Sequence, residues 1–346
     1  MANPGALMAA EIAEQPEAWR RLLTESREQI QVAALRIADY QPRFVLFVAR
    51  GTSDHAALYA KYLTEIVHQL PAGLVSPSTM TTYGARPDLR QTLMIGVSQS
   101  GGSPDLIQSL QVARDCGALT LAVTNQPSSP LAEAAELDVD ILAGEERAVA
   151  ATKSYTTQLL ALYLLLDAVR GGDGSAMAGL PDQASKIIDD NDHFVRLAER
   201  YRFASRLVST GRGYSYPTAR EAALKLMETS YLSAQAFSGA DLLHGPLAMI
   251  DRQVPVLATI NGGSGGEAMR PVLSRLRDLG ADVCCVGAAD AVKAASAGYA
   301  LPGEIAEEVS PLLEIIPFQL LSLHLAIARG SDPDAPRGLA KVTETL

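Results

Sequence analysis

The chemistry available to this chain comes from a short set of polar residues placed in apolar surroundings. Ser98-Gln-Ser-Gly-Gly-Ser103 follows the apolar run Leu93–Val97 and precedes a stretch from Pro104-Asp105 that reads as a helix. Glycine lets a backbone turn tightly and approach a ligand. Hydroxyls and N–H groups at a helix N-terminus form an anion site, and proline near the first helical position suits that start. The same residues also make an ordinary capped turn, so the spacing alone leaves both readings open. The loop is neither GxxxxGKS/T nor GxGxxG, which disfavours a nucleotide P-loop and a dinucleotide fingerprint. Gly51-Thr-Ser53 ends another apolar run. There, Thr52 or Ser53 either caps a helix over Asp54–His68 or adds hydroxyls to the same anion site.

A second group suits proton transfer. Tyr216–Leu232 reads as a helix on which Lys225 and Glu228 stand three residues apart and share a face. Such a pair can handle protons at adjacent carbons. It can also be a solvated ion pair, and Glu221 with Lys225 offers another. His244, in Asp241-Leu-Leu-His-Gly-Pro246, sits in a polar break between apolar stretches. It suits acid–base work near neutrality or a structural role. Lys341, in Arg337-Gly-Leu-Ala-Lys341, is either a solvated tail lysine or an amine that closes over a ligand.

These residues need a scaffold, and the sequence repeats one. Gly51 and Ser53 correspond to Gly213 and Ser215 at an offset of 162 (213 − 51). Gly101 corresponds to Gly262, an offset of 161, and Arg114-Asp-Cys-Gly-Ala118 to Arg277-Asp-Leu-Gly-Ala281, an offset of 163. Three matches in order at nearly constant offset indicate two copies of one unit. The unit reads strand, Ser/Gly loop, helix, strand, Ser/Gly loop, helix, strand. Short apolar strands alternating with helices imply parallel βαβ units with both sheet faces covered. The expected fold is therefore α/β, with two tandem lobes, each a doubly wound parallel sheet flanked by helices in the flavodoxin-like manner. Ligands in such sheets lie at the carboxyl ends of strands, where the Ser/Gly loops fall.

The expected division is an N-terminal helical arm over 1–38, a first lobe over 39–180, a second over 181–330 and a C-terminal tail over 331–346. The arm is helical from about 10 to 38, with Ile12, Trp19, Leu22, Leu23, Ile30, Ala33 and Ile37 on its apolar side. Gly171–Gly174 reads as a loop. A helix over about 182–203 joins the lobes.

The 346 residues are 48% hydrophobic and 20% charged, enough apolar material for a sizeable core. The net charge is −10 and no basic run occurs, so no nucleic-acid partner is expected. An acidic chain still binds phosphate through N–H groups, hydroxyls and a few lysines. Of three cysteines, Cys284 and Cys285 are adjacent in an apolar run and Cys116 stands apart. Neither a disulfide framework nor a zinc site follows, and a reducing cytoplasm fits. The first seventeen residues lack Lys and Arg, and the run Ala6–Ala10 is too brief for a signal peptide. Leu159–Leu166, taken as the most apolar internal run, stops at Asp167 and is too short for a bilayer, so no membrane association is expected.

Several stretches together carry a family likeness: Glu11–Pro16 (EIAEQP), 51–53 (GTS), 98–105 (SQSGGSPD), 150–159 (AATKSYTTQL), 211–231 (GRGYSYPTAREAALKLMETSY), 242–251 (LLHGPLAMID) and 334–341 (DAPRGLAK). The chain resembles the sugar isomerase (SIS) domain family. It is most similar to the isomerase part of glucosamine-6-phosphate synthase, the glutamine–fructose-6-phosphate aminotransferase, and to stand-alone SIS-type glucosamine-6-phosphate deaminases. The resemblance implies two SIS lobes, no metal and no organic cofactor. It implies that Thr52, Ser53, Ser98, Gln99, Ser100 and Ser103 hold the sugar phosphate and that Val149 and Ala340 contact the substrate. It implies Glu228 as the base moving a proton between C1 and C2, assisted by Lys225. It also implies that His244 opens the sugar ring and comes from the other subunit of a homodimer with a shared active site, and that Lys341 engages the carbonyl as the tail closes the active site.

The implied partner is a sugar phosphate, fructose 6-phosphate or glucosamine 6-phosphate. The implied reaction converts an aminosugar 6-phosphate to fructose 6-phosphate and ammonia. Departures from the synthase are the lack of a catalytic cysteine at the start (so no glutaminase activity is expected), Gly102 for a glutamate, Met227 for a second lysine, Ala151 for a serine, and the last residues after Lys341. Two enzymatic alternatives are a deglycase for amine-linked fructose 6-phosphates and a galactosamine-6-phosphate deaminase. A third is a non-catalytic phosphosugar-binding regulator, for which the arm is too short and too acidic to supply a DNA-binding domain.

Overall fold

The computed structural model describes residues 3–341. Two compact units account for the chain, and each contains one parallel sheet. Among the described residues, the first lobe comprises 17–146, 153–179 and 340–341; the second comprises 3–16, 147–152 and 180–339.

In the first lobe the strands are β1 (Phe44–Ala49), β2 (Ala72–Leu74), β3 (Thr92–Ser98), β4 (Leu119–Thr124) and β5 (Leu137–Asp140), in the order β2-β1-β3-β4-β5. In the second they are β6 (Arg206–Gly211), β7 (Ser233–Ser238), β8 (Val256–Ile260), β9 (Val283–Gly287) and β10 (Ala297–Ala300), in the order β7-β6-β8-β9-β10. The two orders are the same permutation, so the repeat read in the sequence is a repeat of topology. All pairings are parallel. Every residue of β3, β4, β8 and β9 is buried, as strands covered by helices on both faces require. In each sheet the winding reverses between the first strand and the third, and the crevice at their carboxyl ends is where such folds bind ligands.

The N-terminal arm is not one helix but three: Ala6–Ala13, Gln15–Glu25 and Arg27–Tyr40. The first break has a local cause. Pro16 has no N–H to give the carbonyl of Ile12, and the Gln15 side chain supplies the missing donor, its Nε2 lying 3.1 Å from that oxygen. The expected helix over 182–203 is likewise two, Leu180–Asp189 and Asn191–Tyr201. The break falls at Asp190, the N-cap of the second helix, within the run Asp189-Asp-Asn191 of poor helix formers.

The tail is anchored within the second lobe. The Asp332 carboxylate accepts from the N–H of Gly5, and that of Asp334 from Leu7 and Met8. Both therefore occupy the N-terminal turn of the helix Ala6–Ala13, where an anion is favoured. The expected tail over 331–346 extends beyond the described residues, and 342–346 lie outside them.

The apolar run Leu159–Leu166 sits in the helix Lys153–Val169. The longest apolar stretch among the described residues lies elsewhere. Glu307–Ala328 has a mean hydropathy of 1.6 and is long and apolar enough to cross a membrane, yet 83% of that window is buried inside the protein. It is a core helix of the second lobe that also buries Glu314 and Gln319.

Candidate active site

The first lobe brings the two hydroxyl loops together. β1 and β3 are neighbours in register, with Ala49 opposite Val97, so the chain segments leaving them emerge side by side. The helix after β1 starts at Gly51 rather than Asp54, with Arg50 as its N-cap and no side-chain cap. Thr52 and Ser53 therefore lie in the first helical turn and do not cap it. The Ser53 hydroxyl accepts from Gln158 Nε2 at 3.0 Å, a buried contact with the helix Lys153–Val169. After β3, Ser98 Oγ accepts from the Gly101 N–H at 3.1 Å and Ser100 Oγ from the Gly102 N–H at 3.3 Å. The loop is thus folded by its own hydroxyls. Ser103 is the N-cap of the helix Pro104–Asp115, again with no side-chain cap bond. Gly101 has a φ of 62°, and a Cβ there would lie 2.1 Å from Ser129 Oγ, so this turn requires glycine. The Arg50 guanidinium reaches the buried Asp105 carboxylate at 2.6 Å and ties the two helix starts to each other.

A cavity of about 420 Å³ opens beside this loop, lined among others by Gln99, Asn125, Gly144 and Glu146. The Asn125 side chain bonds the Gly144 carbonyl at 2.7 Å and the Ala143 N–H at 2.9 Å, which fixes one wall. Glu146 is fully buried and accepts from the Ser154 hydroxyl at 2.6 Å and its N–H at 3.0 Å. Lys341 Nζ donates to Glu146 Oε2 at 2.8 Å. Burial works to raise the Glu146 pKa, but the Lys341 ammonium and the Ser154 bonds outweigh it and hold the carboxyl below its ordinary value. The tail lysine, read as solvated or closing over a ligand, is paired with this carboxylate. Ala340 beside it is exposed.

The proton-transfer candidates lie in the second lobe. The helix Ser215–Ser230 carries Lys225 with its Nζ 2.6 Å from Glu228 Oε2 and 3.2 Å from Glu221 Oε1. The solvated ion pair allowed by the sequence is ruled out, because the Lys225 and Glu221 side chains are 0% exposed and Glu228 is 21% exposed. Burial alone would lower the Lys225 pKa; the two carboxylates outweigh it and raise it above the ordinary lysine value. Lys225 is therefore an ammonium at neutral pH, a fixed counter-charge or proton donor rather than a base. Glu228 is the member of the cluster that solvent reaches.

His244 follows the short helix Gly239–Leu243 and is exposed. Val149 is half-buried in a bend. Its neighbours Arg147 and Ala148 donate their N–H groups to the buried Glu11 carboxylate, which sets the backbone there. Arg337 stacks its guanidinium 4.2 Å from the Tyr231 ring centroid and donates its N–H to the Tyr231 hydroxyl, which holds the tail to the end of the Lys225 helix. Among the described residues no three His, Cys, Asp or Glu side chains form a group that could hold a metal ion.

Sequence reasoning did not single out Glu146, Gln158, Asp105 or Glu11 as site residues. Gln158 and Glu11 fall within the quoted family stretches, and Asp105 ends the SQSGGSPD stretch, but only their burial and cross-chain partners set them apart from ordinary polar residues.

Two parallel sheets of one order, with hydroxyl loops at a switch point, define a tandem doubly wound α/β architecture. Residues 40–168 and 201–329 each match the SIS domain, and the chain belongs to that family. It is 36% identical over 338 residues to the glutamine–fructose-6-phosphate aminotransferase (isomerizing) of Methanothermobacter thermautotrophicus, covering 96% of this chain and 56% of that protein. The chain thus spans little more than half the length of the curated relatives it matches. The C-terminal domain of glucosamine-fructose-6-phosphate aminotransferase from Francisella tularensis superposes with a TM-score of 0.84 at 27% identity, covering 95% of this chain and 98% of that one. A glucosamine-6-phosphate deaminase structure from Thermotoga maritima shares the fold, with a TM-score of 0.74 at 22% identity over 95% of this chain and all of that one.

Proposed function

We propose that this chain is an isomerising deaminase that converts an aminosugar 6-phosphate and water to a ketose 6-phosphate and ammonia. The observation that carries the reading is the buried Glu221–Lys225–Glu228 cluster, which presents one partly exposed carboxylate held in place by a fixed ammonium. The loops 51–53 and 98–103 bind the phosphate, and holding it positions the open-chain sugar for proton transfer. His244, contributed by the partner in a homodimer, assists ring opening. Glu228 takes the C2 proton and returns it to C1, so the C2 amine becomes an imine. Water adds to that imine, ammonia leaves, and a C2 ketone remains. Lys341 serves the carbonyl end, with Glu146 as the site where its ammonium rests. The names of relatives that match along nearly the whole chain support a phosphosugar substrate. Three free thiols fit a reducing, cytoplasmic setting.

The test is to incubate pure protein with glucosamine 6-phosphate and measure ammonia and fructose 6-phosphate. Release of both in equal amounts is expected. Tight phosphosugar binding without turnover would mean a binding protein rather than an enzyme. Faster turnover of galactosamine 6-phosphate, or of amine-linked fructose 6-phosphates, would move the assignment to that substrate.

A further inference from the structure

The second lobe has its own loops at the switch point between β6 and β8, and a carboxylate of the same chain sits among them. The N–H groups of Ser264 and Gly265, in the first turn of the helix Gly263–Asp278, donate to the two oxygens of Glu307 at 2.8 and 2.6 Å. Glycines make the room. A Cβ at Gly263 would stand 2.1 Å from Glu307 Oε2, and one at Gly265 would stand 2.6 Å from Oε1. Gly213, the counterpart of Gly51 in the loop after β6, faces the same carboxylate, since a Cβ there would lie 3.9 Å from Oε1. Both repeated loops therefore flank one anion.

A second observation points the same way. Asn261 Nδ2, in the two-residue loop that leads from β8 into this helix start, is a buried polar atom with no hydrogen-bond partner among the described residues. Its residue is 8% exposed. Polar groups of this kind are kept where a polar ligand satisfies them, and a helix N-terminus with bidentate N–H donors suits a phosphate as well as it suits a carboxylate.

We propose that this cradle is a second anion site of the kind that takes a phosphate monoester, and that Glu307 fills it as an internal ligand. The consequence is one phosphosugar per chain, held by the first lobe, with the second lobe closed by its own carboxylate.

The experiment is calorimetric titration of wild-type protein and Glu307→Ala with inorganic phosphate, with folding checked by circular dichroism. The variant is expected to bind one phosphate more per chain than the wild type, roughly tenfold tighter than any second binding event in the wild type. A folded variant with the wild-type stoichiometry overturns the proposal. If the wild type binds no phosphate and the variant binds one, the cradle stands and the role proposed for the first lobe falls. Should Glu307→Ala unfold in chloride, refolding in phosphate at matched ionic strength is the measurement: selective recovery supports the site, and recovery no better than in chloride overturns it.

Discussion

In the first lobe five residues, 99–103, separate β3 from the next helix; in the second, only Asn261 and Gly262 separate β8 from its helix. The longer loop carries Gln99, Ser100 and Ser103 and folds on its own hydroxyls. The shorter one is met by Glu307 from a distant segment. One repeated layout is thus folded on its own hydroxyls in the first lobe and met by a carboxylate of the chain in the second. On the reading proposed above, sheet order sets where an anion site can form, while loop length and one acidic residue decide whether it is open.

The buried glutamates show the same contrast. In the first lobe Glu146 has a cation, Lys341. In the second, Glu314 is surrounded by the hydroxyls of Ser310, Ser215 and Thr218 at 2.6, 2.8 and 3.0 Å. Burial, helped by nearby Glu307 and opposed by the three hydroxyl bonds, leaves its pKa raised to about 7. A buried carboxyl with hydroxyl partners thus titrates upward, and one with an ammonium partner titrates downward.

The comparison can be broken first at the chemistry. Glu228→Gln should lower kcat by about a thousandfold and leave the affinity for the phosphosugar unchanged, measured as ammonia release against substrate concentration; an active variant would remove Glu228 as the base. Next in size is Lys225→Met, which leaves the buried Glu221 without its cation. It should lower unfolding stability by about 3–5 kcal/mol in a denaturant titration, whereas a solvated pair would change it little.

The pH dependence separates the two glutamates. Glu314 has a folded pKa above its unfolded value, so the stability it supplies is complete below pH 4.5 and is lost as pH rises to about 7. The loss over that window is about 3 kcal/mol, and Glu314→Gln should flatten it. Glu146 has the opposite sign: its contribution is present above the ordinary glutamate value and is lost as acid reaches its lowered pKa. Stability curves of Glu146→Gln should therefore differ from wild type above that range and converge with it in acid. The smallest effect is expected for Ser98→Ala, about fivefold weaker phosphosugar binding with kcat retained. A kcat loss there in place of an affinity loss would erase the proposed division between binding and chemistry.

Much of this was legible residue by residue. The offsets between Gly51 and Gly213, and between the two Arg-Asp-x-Gly-Ala endings, already placed the switch-point loops. Ser98–Ser103 stands out as hydroxyls and glycines between an apolar strand and a proline-started helix, a pattern that an anion site and an ordinary capped turn share. The breaks at Pro16 and Asp190 were less visible, because an apolar stripe continues across them. Thr52 and Ser53 looked like caps, and only the left-handed Gly51 starting the helix three residues early moved them inside it.

The sequence by itself determined the two-fold α/β plan and the Ser/Gly loops at its strand ends, because strand and helix periodicity and glycine placement are local properties. It also marked Lys225 and Glu228 as neighbours, since helical spacing brings them onto one face. The tertiary structure alone decided that this pair is buried, that Lys341 meets Glu146 across 195 residues, and that Glu307 closes the second cradle. Those outcomes depend on desolvation and on partners far apart in the chain, and a carboxylate reads the same in sequence whether it faces water, an ammonium or the start of a helix.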